Sequence, residues 1–78
     1  MEPVALRRID PDKNMARFYQ VDVSPTLFGE WAVVQRWGRI GSVGREMEVW
    51  YPEAASASTT VQRLVAAKRR RGYQDLGC

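Results

Sequence analysis

At 78 residues the chain has room for one domain, built as a single apolar layer between a sheet and a helix. It contains no His and a single Cys, at position 78, so an internal disulfide and a Cys/His metal centre are excluded and core packing has to hold the fold. Twelve basic against nine acidic residues leave a net charge of +3, and ten of the twelve are Arg; a guanidinium forks onto phosphate and stacks on flat groups, so the balance leans toward nucleic acid.

The N-terminus, Met1 to Arg8, lacks the continuous apolar stretch of a signal peptide, and no window is long enough to span a bilayer. A cytoplasmic protein without a membrane partner is expected. In residues 4–10, Leu6 and Ile9 are the apolar anchors of a short edge strand within an N-terminal extension, residues 1–13. Pro11-Asp12-Lys13-Asn14 is a dense turn signal. Residues 17–23 then alternate, with Tyr19, Val21 and Val23 on one face and Gln20 and Asp22 on the other, as a half-buried strand does; Phe18 breaks the pattern at its start. In the connection at 24–29, Leu27 and Phe28 are expected to fold back over a core edge.

Residues 30–40 hold the longest apolar stretch, too rich on both faces for alternation to assign an inside. If Trp37 and Arg39 face outward, then Ala32, Val34, Gly38 and Ile40 lie beneath the helix and Arg36 points awkwardly inward unless a bulge or an edge position relieves it. A Gly-bounded loop, Gly41 to Gly44, suits a hairpin into residues 45–51, where Met47, Val49 and Tyr51 read inward, Glu46 and Glu48 read as a solvated face, and Trp50 falls on the polar side, either half-covered by Arg stems from an adjacent strand, the favoured account, or part of an interaction surface. After Pro52 the period becomes helical from about Glu53 to Arg71, with Ala54, Ala57, Val61, Leu64, Val65 and Lys68 along one stripe and the N-cap at Pro52, Ser56 or between them. Lys68, Arg69, Arg70 and Arg71 sit in the last turn, where cations meet the negative end of the helix dipole; Gly72 is placed for a left-handed stop, and Tyr73 for packing under the helix end. The fold class is therefore α+β: about four antiparallel strands with one C-terminal helix on one face, the other face open.

The unusual stretch is Gln35-Arg36-Trp37-Gly38-Arg39-Ile40-Gly41. On a strand, Trp37 and Arg39 project together while Gly38 leaves a bare backbone position, an arrangement that suits a base or sugar beside a phosphate. A core Trp with a solvated Arg at a strand end is the competing account. Gly38, Gly41 and Gly44 are spaced three apart with no Gly-Lys-Ser/Thr following, which rejects a phosphate loop and nucleotide hydrolysis. Catalysis has no candidate residues, since there is no His, no nucleophile beside a base and no metal-ligand cluster. Neither a cofactor nor a metal is expected.

Trp37-Gly38-Arg39 with its Ile40-Gly41 continuation, the upstream Phe18-Tyr19-Gln20-Val21 and the closing Gly72-Tyr73 resemble the WGR domain, over about residues 14–76. That family occurs in poly(ADP-ribose) polymerases, in bacterial proteins described as molybdate-metabolism regulators, and as short stand-alone bacterial chains, which this sequence resembles in extent. The resemblance implies a curved antiparallel sheet with one helix, no catalysis, and binding to the end of a broken DNA strand. It implies that Trp37 stacks on a sugar or base at a strand end and that Arg39 contacts phosphate or a partner domain. Arg36, Arg45 and the cluster Lys68, Arg69, Arg70 and Arg71 join the candidate nucleic-acid site on charge and proximity alone. DNA is the expected partner ahead of RNA. The alternative is a protein-interaction module, including a homodimer, that uses the open sheet face with Trp37, Arg39 and Trp50 as anchors.

Overall fold

A computed structural model describes residues 3–75 of the protein; Cys78 lies outside the described residues. Five antiparallel strands, β1 (Val4–Asp10), β2 (Met15–Pro25), β3 (Trp31–Arg39), β4 (Arg45–Tyr51) and β5 (Gln74–Asp75), form one sheet in the order β4-β3-β2-β1-β5, and helix α1 (Ala54–Arg70) covers one face. The α+β class and the single C-terminal helix are as expected. The additional strand, β5, is two residues long and pairs with the outer side of β1, placing Leu6 opposite Asp75 and Arg7 opposite Gln74.

The N-terminal segment is thus a full sheet member, flanked on both sides. Leu6 is why: it is fully buried, facing Tyr19 across the β1–β2 ladder and contributing to the core under α1. Between β1 and β2, Pro11 opens a 3-10 turn and Asn14 closes it with φ 51, a left-handed conformation that Asn tolerates better than most residues.

Register decides which face of β3 is inside. Tyr19 pairs with Trp37, Val21 with Gln35 and Val23 with Val33, so the odd-numbered residues of both strands share the helix side. Val33 is 1% exposed there, and Trp31 and Trp37 pack against the core. Ala32, Val34 and Gly38 therefore lie on the face away from α1, and the arrangement with those residues beneath the helix is not the one adopted. Arg36 consequently points away from the core and needs no bulge. Once β2 commits Tyr19, Val21 and Val23 to the core, the ladder leaves β3 no choice of side.

On α1, Ala57, Val61 and Val65 are buried against Leu6, Tyr19, Val21, Val23 and Val33. The helix begins after Glu53, an extended N-cap with no side-chain cap bond, within the expected interval. It ends as the sequence implies. Gly72 takes φ 97, its N–H donates to the Arg69 carbonyl at 3.0 Å, and the Tyr73 N–H donates to the Lys68 carbonyl at 3.1 Å, the paired bonds of a Schellman stop. Tyr73 packs back onto the core.

Two expectations about the open face fail. Leu27 and Phe28 do not cover a core edge; they are 98% and 77% exposed. Thr26 explains this, because its hydroxyl accepts the N–H groups of Phe28 and Glu30 while its own N–H donates to the Glu30 carbonyl at 2.8 Å. That closes a tight turn with Leu27 and Phe28 at its tip. Trp50 is not shaded by arginine stems either: it sits opposite Ala32, with the Phe28 ring tilted 6.1 Å away and its indole N–H donating to the Glu48 carboxylate.

Candidate nucleic-acid interface

Trp37 and Arg39 do project together, on the helix side of the sheet near the end of β3. In the row across the strands at Trp37, Leu6, Tyr19, Trp37 and Arg45 lie side by side. Trp37 is half-buried and packs against the core. In the next row outward, Arg8, Arg17 and Arg39 face one another on three neighbouring strands. Arg17 and Arg39 are exposed, and Arg8 is half-buried beside the helix stop, its Nε 3.5 Å from where a Cβ on Gly72 would lie.

The last turn of α1 overhangs these rows. Lys68 Nζ lies 5.0 Å from the centre of the Tyr19 ring and 5.2 Å from that of Tyr73, a cation held between two aromatic faces. Burial pulls the Lys68 pKa below its ordinary value, and the positive charges of Arg71 and Arg17 push it the same way. Arg8, Arg17, Arg39, Lys68 and Arg71 thus gather where the helix end meets the sheet end. Among the described residues the one ion pair is Arg69 with Asp75, at 2.8 Å, so none of these five cations is neutralised by a carboxylate. Beside Arg17 and Arg39, residues 13–16 and Gly38 line a groove of about 420 Å³. An array of this kind attracts anions, and phosphate and carboxylate groups both match guanidinium geometry.

The remaining sequence candidates divide. Arg45 lies on the same face as Trp37, at the sheet edge. Gly38 has its bare position filled by the chain itself: a Cβ there would lie 2.8 Å from the Cα of Gly44, which packs over Phe18. Arg36 is on the opposite face, its Nε donating to the Val43 carbonyl at 3.1 Å. Arg69 is tied to Asp75 through two bonds of 3.0 and 2.8 Å, and Arg70 is exposed on the last turn. Sequence reasoning missed Arg8 and Arg17. The signal available was parity, since Arg17 is two residues before Tyr19 and Arg8 two after Leu6, but their meeting with Arg39 depends on register.

A sequence profile of the WGR domain matches residues 2–77. An uncharacterized protein of Sinorhizobium fredii, y4dW, is 38% identical over 69 residues, which span 88% of this chain and 34% of that protein. The crystal structure of a Bacteroides fragilis protein superposes with a TM-score of 0.83 at 21% identity, over 97% of this chain and 20% of the other, a likeness of fold. In both comparisons the chain corresponds to a minor part of a longer polypeptide. With a match that runs nearly end to end and the Trp37-Gly38-Arg39 signature on the expected strand, the chain belongs to the WGR domain family.

Proposed function

We propose that this WGR domain is a non-catalytic nucleic-acid-binding module that takes DNA at strand ends, nicks or single strands. The observation that carries the reading is the row Arg8, Arg17 and Arg39 beneath Lys68 and Arg71, without carboxylate partners among the described residues. In this reading phosphates sit along the row, and the exposed part of Trp37, one row inward, meets the sugar or base of the terminal nucleotide. Contacts of this sort position a strand without reading base edges, so affinity depends weakly on sequence and strongly on salt.

The test is fluorescence anisotropy with labelled single-stranded, blunt-duplex and 5′-phosphorylated nicked DNA at two salt concentrations, on wild type, Arg17→Gln, Arg39→Gln and Trp37→Phe. Each Arg variant is expected to weaken binding and to lower the salt slope by about 0.7 to 0.9, the share of one phosphate. Trp37→Phe keeps an aromatic in the core, so a loss of end preference in that variant reports the ring contact rather than unfolding. Absence of binding to all three DNAs by the folded protein refutes the reading.

A second reading has its own observation. Leu27, Phe28 and Trp50 are exposed together on the open face, an apolar group of the kind that anchors protein contacts. In a homodimer built on this patch, sedimentation would show concentration-dependent association that Phe28→Ser abolishes. A monomer at high concentration removes that version.

A further inference from the structure

The sheet face opposite α1 carries a second cationic site of a different build. Arg7 of β1 faces Phe18 of β2, and Gln20 of β2 faces Arg36 of β3, so the four share that face in two adjacent rows. The hairpin loop 40–43 closes one end, and the recess so formed has a volume of about 380 Å³. Its floor is a half-buried aromatic ring and an amide, and a guanidinium stands on either side.

Arg36 shows that the recess is more than a solvated strand surface. Across β4 its partner in register is Glu46, yet no ion pair forms between them. Instead the Arg36 Nε donates to the Val43 carbonyl, which turns the guanidinium toward the loop and leaves its terminal N–H groups without a carboxylate among the described residues. Arg7 also lacks a carboxylate partner among the described residues. The loop itself is braced, since the Ser42 hydroxyl donates to the Arg39 carbonyl at 2.7 Å and the Ser42 N–H donates to the same oxygen at 3.0 Å. Exposed Ile40 and Val43 add an apolar rim.

Two guanidiniums without carboxylate partners among the described residues suit a phosphate, a ring with an adjacent amide suits a flat heterocycle, and the volume sits near the lower end of small-ligand pockets, about 300 to 1,000 Å³. We infer that this recess binds a single nucleoside monophosphate, with its phosphate between Arg7 and Arg36 and its base against Phe18 and Gln20. The site lies on the other side of the sheet from Arg8, Arg17 and Arg39 and does not depend on the DNA reading.

The test is a ¹H–¹⁵N NMR titration of the protein with AMP, with adenosine and with inorganic phosphate, on wild type, the double variant Arg7→Gln with Arg36→Gln, and Phe18→Leu. All three substituted residues retain bulk at their positions, and the dispersion of the spectrum reports folding directly. AMP is expected to give saturable shifts confined to residues 7, 18, 20, 36 and 40–43, weakened at least about tenfold in the double variant, where two charge-assisted contacts are lost. Phe18→Leu should weaken AMP while leaving phosphate unchanged. Phosphate binding as tightly as AMP would overturn the base contact. AMP shifts that survive the double variant, or that appear at Arg17 and Arg39, would overturn the site, as would the absence of saturable shifts.

Discussion

Three arginines facing one another on adjacent strands repel, and like charges placed directly opposite on a sheet cost stability. Arg8, Arg17 and Arg39 stand so, with Lys68 and Arg71 adding to the same field. Such an arrangement makes sense where an anion relieves it. Arg17→Gln is accordingly expected to raise the stability of the free protein by roughly 0.2 to 1 kcal/mol while weakening DNA binding. Urea unfolding beside anisotropy checks the opposed signs, and a variant that loses both stability and binding would refute the argument. Tyr19 supplies a pH prediction at the same scale. It is 1% exposed, its hydroxyl donates to Gln35 Oε1 at 2.9 Å, and burial pushes its pKa up from 10.0 to about 12. The raised value means that the folded state favours the protonated phenol. Its contribution is complete below pH 10 and is lost as pH rises through about 12. Alkaline unfolding followed by circular dichroism should coincide with tyrosinate absorbance from Tyr19, and Tyr19→Phe should remove that step. At neutral pH the same variant should cost about 0.5 to 1.5 kcal/mol for the lost hydrogen bond.

Among the elements, the hairpin after Trp37-Gly38-Arg39 rests on two glycines that touch. Gly44 adopts φ 77, and a Cβ on it would collide with the Trp37 carbonyl and come within 2.7 Å of the Phe18 ring. Gly38 meets the Gly44 Cα from the other side. The middle residue of the signature is thus accounted for by close approach of the chain to itself. Gly44→Ala combines left-handed strain with overpacking and should cost about 2 kcal/mol or more; Gly38→Ala, with overpacking alone, should cost about 1 to 3 kcal/mol. Denaturant midpoints report both, and unchanged midpoints would contradict the packing described. The helix stop at Gly72 is simpler, because the capping bonds and φ 97 are local to one turn.

For the whole molecule, one layer of side chains between α1 and the sheet carries the stability. Domains have about 0.05 to 0.15 kcal/mol per residue, which for this chain amounts to only a few to roughly 12 kcal/mol. Leu6 is the sole fully buried side chain that β1 contributes to the core. Leu6→Ala, at about 2 to 5 kcal/mol, is therefore expected to consume a large share of the total. Removing residues 1–10 would also strip β2 and β5 of their partner strand, and the remainder should fail to give a cooperative thermal transition. A chain that folds without them would show that the core survives on α1 with β2, β3 and β4 alone. The same layering separates the two cationic sites, since each strand sends alternate residues to opposite faces. Arg39 and Arg36, three residues apart, end on different surfaces.

Much of this was legible in order along the chain. The strand of Tyr19, Val21 and Val23, the stripe of α1, the Gly72 stop and the turn at Pro11 to Asn14 are local, depending on period, capping and dihedral preference within a few residues. The signature around Trp37 likewise points to its family without a fold. What only the tertiary structure decided is where distant residues meet. β3 is apolar on both faces, so its inside was set by pairing with β2 rather than by its own pattern. A two-residue β5 carries too little sequence to announce itself. The arginine row needs the registers of β1, β2 and β3 together, and a shift of one residue in any of them would send its arginine to the other face.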